Sequence, residues 1–500
     1  MLEQLIGGAL TLFGNPLSVG IFFAGLIGGM LFGAIPGVNM LTLGAIFLPF
    51  SGILSASDAI MFYSVLYCSG TYGGAVTAIL FNIPGSPENA PTAFDGYPMT
   101  QKGEAGKAIG AAVLCSSLGG TCSVLLMIAF TPLLADWAIR AFGPPEIFAL
   151  VFLGIAVASS VGARTLWKGW LSILLGLMVA TVGLDPVAGM ERYEFGFVYL
   201  LAGIHFIPLI LGFFAVSEVF VQAEKRVVGV FQMPAFSTKL PSLLEFWRLK
   251  IAVLRSVLLG FFAGILPGIG ATLAAFLSYN EAVRWSRTPE KFGTGCLEGV
   301  VASETANNAA TGAAMIPLLS LGLPGGALTA MMIGVFQMHD MEPGPLVFTN
   351  SSELVYVVFA AMFFANIAIF VLGYLEVKTV TQLLRIPFQF LALGILLLST
   401  VGAYAVRGLA TDVLVMFAAG VIAFFLRRSG YSIPGIILGV ILGRLGEQNF
   451  AQAMQMLSYD MGAFISRPIV ALLIGAGVLT IGTNIYRALK GTRRGLGAKD

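Results

Sequence analysis

The chain of 500 residues predicts an all-α integral membrane protein of about eleven to twelve transmembrane helices, with re-entrant hairpins and two inverted-topology repeats. Three observations carry this. Hydrophobic residues make up 57% and charged residues 10%, against about 25% charged in ordinary soluble domains. Residues 4–57 hold no charged side chain, a run longer than the ~20 residues that cross a bilayer once. A GxxPG element, Gly33-Ala34-Ile35-Pro36-Gly37, recurs 231 residues later as Gly264-Ile265-Leu266-Pro267-Gly268. Pro and Gly free backbone groups that find no water in a bilayer, so such breaks persist only where they line a cavity, and paired breaks in corresponding halves point to a transporter's substrate site.

The first repeat is read over residues 1–222. Pro36-Gly37-Val38-Asn39-Met40 divides its opening run into 17–35 and 41–54, a hairpin meeting at a polar tip. Residues 59–87 end in Asn82-Ile83-Pro84-Gly85-Ser86-Pro87, and the polar segment that follows, with Asp95, Lys102, Glu104 and Lys107, reads as a solvated loop. Uncharged runs at 108–135, 147–163, 169–184 and, His205 aside, 195–217 complete the half. Glu218 reads as a charge at the end of a span. A charged linker at 223–250 leads to a second repeat over 251–445, with uncharged runs at 256–280, 305–338, 354–375, 386–406, 413–426 and 429–443. Residues 446–500 add a last span at 468–486 and a basic tail. The N-terminus lacks a basic segment and a cleavage site, so the first apolar segment is expected to be retained.

The net charge of +2 gives no reason to expect nucleic acid as a partner. Cys68, Cys115, Cys122 and Cys296 form no CxxC pair and read as packing thiols, while His205 and His339 are too far apart to suggest a metal cluster. Neither an HExxH motif nor a pair of span-centred Asp residues supports an intramembrane enzyme. No cofactor is expected, and no metal beyond a sodium site.

A carboxylate held at mid-membrane by a permanent Arg would cost ~2.5–3.5 kcal/mol on insertion scales, and the long uncharged runs contain none. Helix N-termini supply free N–H groups and roughly half a positive charge instead. That role falls to Pro36, Gly37 and Asn39 on one side and to Pro267, Gly268, Gly270 and Thr272 on the other, with Asn82, Ser86, Asn308, Thr311, Pro324 and Gly325 completing the pocket. The competing reading is that each Pro-Gly pair only kinks packed helices. Glu304, with Asn307 beside it, is the candidate for cation coupling, because an ionisable residue in an apolar run is a functional candidate by default. The competing reading makes Glu304, or Glu298, an acid capping a helix at the membrane surface.

YGGAVTAILFNIPGSPENAPTAFDGYPMTQKGEAGKAIG (72–110), FGPPEIFAL (142–150), TVGLDPVAG (181–189), GILPGIGATLAAFLSY (264–279), FGTGCLEGVVASETANNAATGAAMIPLLSLGLPGG (292–326) and SRP (466–468) together carry a resemblance. Over nearly its whole length the chain resembles the large membrane subunit of tripartite tricarboxylate transporters, the TctA-like proteins. The resemblance implies a secondary carrier, not an enzyme, that takes up di- or tricarboxylates such as citrate across the bacterial inner membrane, coupled to Na⁺ or H⁺. It also implies a small four-helix membrane subunit and a periplasmic solute-binding protein as partners, and an elevator-like motion. An architecture of this kind carrying another small organic solute, such as an amino acid, is the alternative. The chain departs from the family pattern at the first tip, PGVNM where PGLGP is usual, and at Glu88, where a small or uncharged residue is usual.

Charge asymmetry sets the expected orientation. No Lys or Arg precedes Lys102, six lie within 223–255 and five within 487–500, so the N-terminus is expected outside and the linker and C-terminus in the cytoplasm. Arg284, Arg287 and Lys291 return the chain to the basic side after the second hairpin, whereas the first is flanked by no basic residue, so the two enter from opposite faces. Single cysteines in a background lacking the native four test this with an impermeant thiol reagent. Position 3 should label on intact cells and positions 237 and 496 only after permeabilisation; equal protection of 3 and 237 would exclude the inverted arrangement.

Overall fold

The computed structural model describes residues 2–35, 38–159, 165–185, 187, 189–225, 241–266, 270–383 and 388–496. The first half comprises α1 (Leu2–Gly14), α2 (Pro16–Ala34), α3 (Met40–Phe47), α4 (Ala56–Phe81), α5 (Ala90–Gln101), α6 (Ala105–Ala141), α7 (Pro144–Ala158), α8 (Leu166–Ala180), α9 (Val198–Leu201), α10 (Phe206–Ile210) and α11 (Ser217–Lys225). The second comprises α12 (Leu243–Arg248), α13 (Lys250–Ile265), α14 (Gly270–Trp285), α15 (Leu297–Leu321), α16 (Ala327–Met338), α17 (Val347–Asn350), α18 (Ser352–Leu383), α19 (Phe388–Arg407), α20 (Ala410–Arg428), α21 (Ile433–Met456), α22 (Met461–Ile465) and α23 (Pro468–Leu496). A two-residue antiparallel pair, β1 (Gly183–Leu184) and β2 (Glu191–Arg192), aligns Gly183 with Arg192.

The fold is that of an all-α integral membrane protein. Among the described residues eight helices are long and apolar enough to cross a membrane, and four shorter apolar helices accompany them. The difference from the eleven to twelve expected lies in the short paired helices and in α15 and α21, which at 25 and 24 residues are long enough but more polar. Outer helices such as α20 and α23 expose Phe425, Leu472 and Leu479, as lipid-facing surfaces do.

Both expected hairpins are helix pairs. Asn15 opens α2, its Oδ1 accepting the Leu17 N–H at 3.0 Å, with Pro16 at the first helical position. Asn39 opens α3 in the same way, accepting from Leu41 at 3.0 Å and Thr42 at 3.3 Å. The second pair is α13 and α14, and Gly270 begins α14 at φ +57°.

The two halves repeat one another around α4 and α15, which are buried on nearly every face. Each ends in a left-handed residue, Asn82 at φ 57° and Gly322 at φ 72°. Each then runs through Pro-Gly into a second short helix, α5 or α16. α4 packs against α2 of its own half and α18 of the other; α15 packs against α13 of its own half and α6 of the other. Each broken helix is therefore gripped by the adjacent hairpin and by the long helix of the opposite half.

The segment after the first break differs from expectation. It is the helix α5 and not a solvated loop, and Asp95 is fully buried. Asp95 Oδ1 accepts N–H groups from Gly293 at 2.8 Å, Gly295 at 2.9 Å and Cys296 at 2.7 Å, and Oδ2 accepts from the Tyr279 hydroxyl at 2.8 Å. The charge serves to anchor the turn that launches α15. Lys102 donates to the Thr294 carbonyl at 2.6 Å and Lys107 pairs with Glu245 of α12 at 2.7 Å, so these residues also hold the halves together. Glu218 pairs with Arg427 of α20.

The packing at Gly85 generates a prediction. A Cβ there would collide with the carbonyl oxygen of Gly33 at the end of α2, backbone that cannot swing aside. Gly85→Val should cost about 1–3 kcal/mol or more by overpacking and lower the unfolding temperature of the detergent-solubilised protein. Gly20→Val, with open space around its Cβ, should show no such loss.

Candidate functional site

The sequence ETANNAAT places Glu304, Asn307, Asn308 and Thr311 at helical spacing along one stripe of α15. All four are fully buried. Glu304 lies two turns inside the helix, so it is not a cap at the membrane surface; the residue preceding α15 is Cys296, and Glu298 occupies the first turn. The stripe faces the first break, α5 and α6.

Four side chains donate to the Glu304 carboxylate. Oε1 accepts from Thr92 in a very short bond, from Asn307 Nδ2 at 3.2 Å and from Asn89 Nδ2 at 3.4 Å, and Oε2 accepts from Ser116 Oγ at 3.0 Å. Hydrogen bonds to a charged group contribute roughly 1.5–3 kcal/mol each, which offsets part of the cost of burying the charge. Among the described residues no salt bridge reaches Glu304. The donors are themselves held in place. Asn89 Nδ2 also reaches the Thr71 carbonyl of α4 at 2.8 Å, its Oδ1 accepts from Ser86 at 2.7 Å, and Thr92 meets Ser303 at 3.0 Å. One polar network therefore joins α4, the first break, α5, α6 and α15.

Asn307 Nδ2 also approaches the Glu88 carbonyl at 3.4 Å, and its Oδ1 accepts from Asn308 Nδ2 at 2.9 Å. Among the described residues Asn308 Oδ1 is buried without a partner. Thr311 donates to the Asn308 carbonyl at 2.8 Å and lies 3.8 Å from Cys68 Sγ. A buried carboxylate with amide oxygens beside it suits a hard cation or a proton. Among the described residues no group of three or more His, Cys, Asp or Glu is placed to hold a metal ion.

The remaining candidates are distributed around this centre. Ser86 is part of the network, while Asn82 is the left-handed cap of α4 and Asn39 Oδ1 is engaged in opening α3. Pro324 and Gly325 form the second break, Gly325 resting on Ala314 as Gly85 rests on Gly74. Gly270 and Thr272 lie in the first turn of α14, and Gly270 faces Gly326 of the second break. Pro36, Gly37, Pro267 and Gly268 lie outside the described residues. Sequence reasoning missed Asn89, Thr92 and Ser116. Their only signal is small polar side chains in Gly- and Ala-rich apolar stretches, which is also what close helix packing uses.

A cavity of about 860 Å³ opens beside the second break, lined by Ser320, Gly322, Gln337, Arg192, Arg444 and Glu447 among others. Arg192 is paired with Glu447 at 2.5 Å and Asp185 at 3.3 Å.

Comparison with known proteins bears on what this arrangement does. The chain is similar to an uncharacterized 52.8 kDa protein in the TAR-I ttuC' 3' region of Agrobacterium vitis, 35% identical over 483 residues, covering 96% of this chain and 95% of that protein. It is also similar to an uncharacterized protein in the TAR-II ttuC' 3' region of Agrobacterium vitis, 33% identical over 222 residues, 44% of this chain and 92% of that protein. No solved structure matches it. The family model described as "Tripartite tricarboxylate transporter TctA family" matches residues 19–438. With broken helices and paired hairpins around a buried polar centre, this multi-pass membrane protein belongs to the tripartite tricarboxylate transporter TctA family, a family of transporters.

Proposed function

We propose that this chain takes up di- or tricarboxylates of the citrate kind across a bacterial inner membrane, driven by a Na⁺ or H⁺ gradient. Its partners in this reading are a small four-helix membrane subunit and a periplasmic solute-binding protein, as the family's tripartite description suggests. The observation that carries the reading is a buried, multiply hydrogen-bonded Glu304 beside the first helix break, on the same helix, α15, that seats the second break at Ala314. The helix N-termini of α14 and α16 face one another at Gly270 and Gly326 and supply partial positive charge for a carboxylate without a fixed cation. Glu304, with the amide oxygens of Asn307 and Asn308 beside it, is the group that takes the coupling ion. The guanidinium of Arg444, which has no salt-bridge partner among the described residues, draws an anion from the neighbouring cavity toward the second break. Movement of the two gripped central helices past the outer helices would carry the site between faces, in the elevator manner.

Two experiments test this. Glu304→Gln keeps shape and most hydrogen bonds but removes the charge, so citrate uptake into vesicles should lose its dependence on the cation gradient; an unchanged dependence would leave Glu304 a purely structural acid. A site built of backbone dipoles holds a free carboxylate weakly, so delivery by a high-affinity partner matters. Vesicles holding this chain and the small subunit should accumulate little citrate until the binding protein is added, and full accumulation without it would refute the tripartite assignment.

A further inference from the structure

The two breaks correspond position for position, and this exposes one difference in charge. Asn82 and Gly322 are the left-handed caps, Pro84-Gly85 answers Pro324-Gly325, Ser86 answers Gly326, and Glu88 answers Leu328. Leu328 is 1% exposed and lies over Gly44 of α3, a plain apolar contact with the first hairpin. Glu88, 5% exposed in the turn Pro87–Asn89, lies instead against α14 of the second hairpin. The Thr272 and Ser86 hydroxyls lie near its carboxyl, the latter donating to Asn89, and among the described residues Oε1 is buried with no hydrogen-bond partner.

The surroundings hold no compensating charge. From α4 the ionisable group facing Glu88 is Tyr67, and from α15 it is Glu304, whose neighbour Asn307 holds the Glu88 carbonyl. From α5 the acid is Asp95, consumed by the 293–296 turn and by Tyr279 of α14; the charges Glu281 and Arg284 of α14 lie at its far end, toward that same turn. Among the described residues no Lys, Arg or His nitrogen comes within 4.0 Å of the Glu88 carboxyl. A buried carboxyl without a cation neutralises in preference to staying charged. A neutral acid is also a donor, which a bare carboxylate is not.

We propose that Glu88 is a proton-carrying group of the substrate site: it meets a carboxylate substrate as the neutral acid and donates its O–H to a substrate oxygen. This rests on the substrate being a carboxylate. The proton comes from external water when the empty site faces outward, travels with the carboxyl–carboxylate pair, and passes to cytoplasmic water once the substrate has left as its anion. Glu88 thereby sets specificity and adds a proton of its own to the ion taken at Glu304, since the site accepts an anion only while this residue is protonated.

The test uses the full chain in lipid nanodiscs. In the infrared spectrum of the empty protein near pH 7, the carbonyl stretch of a protonated carboxylic acid, shifting in D₂O, should lose intensity in Glu88→Gln; an unchanged band means that Glu88 is ionised and overturns the proposal, favouring a substrate ammonium as its partner. Glu88→Ala serves should Glu88→Gln not fold, because this arm needs only the carboxyl gone. In titrations with citrate between about pH 6 and 9, wild-type affinity should fall by about tenfold per pH unit above the titration of Glu88, and Glu88→Gln should bind with a flatter dependence. The same slope in both proteins overturns the proposal. Should citrate bind neither, the citrate-like reading of the substrate fails, while the infrared arm still decides Glu88.

Discussion

A dry interior obliges every backbone and side-chain polar group to find a partner inside the protein, and the centre of this fold is arranged around that demand. Two central helices are broken at mid-path, so their carbonyls and N–H groups would be stranded in lipid. They are instead enclosed. Left-handed caps at Asn82 and Gly322 return the chain toward the helix it has just left, and the Pro-Gly pairs lie against small residues, Gly74 and Ala314. Only glycine permits the approach of Gly85 to the Gly33 carbonyl, which seats the first hairpin on the first break.

Polar side chains in the same region obey the same constraint with different results. Asp95 is fully partnered and works as an anchor, drawing three N–H groups and a hydroxyl to one carboxylate so that α15 starts in a defined place. Glu304 is also fully partnered, but by donors from its own helix and three other elements, so its environment changes if those elements move relative to one another. Glu88 and Asn308 each keep an oxygen without a partner among the described residues. An unpartnered buried acceptor is costly to keep.

The interlocked packing places this chemistry. Because α6 grips α15 and α18 grips α4, neither repeat can form its centre alone; Ser116 from the first half completes the shell of a glutamate in the second. The internal repeat is thus a structural dependency, and the two halves depart from it at Glu88 against Leu328 and Ser86 against Gly326.

Composition and the long uncharged runs determined the membrane class and the helical architecture, since only backbone satisfied within a segment survives in lipid. The recurrence of GxxPG located the hairpins, and an acid among ANNAAT marked Glu304 as the exceptional charge. Other features had no signature in one dimension. Asp95 and Lys102 sit in a stretch as polar as any surface loop, and only their folding onto residues 293–296 buries the one and pairs the other with Thr294. Likewise Asn89, Thr92 and Ser116 look like small packing residues in sequence. Tertiary structure decided their role, because a shell of donors drawn from separate helices is fixed by helix crossings between the two repeats and not by any local pattern of residues.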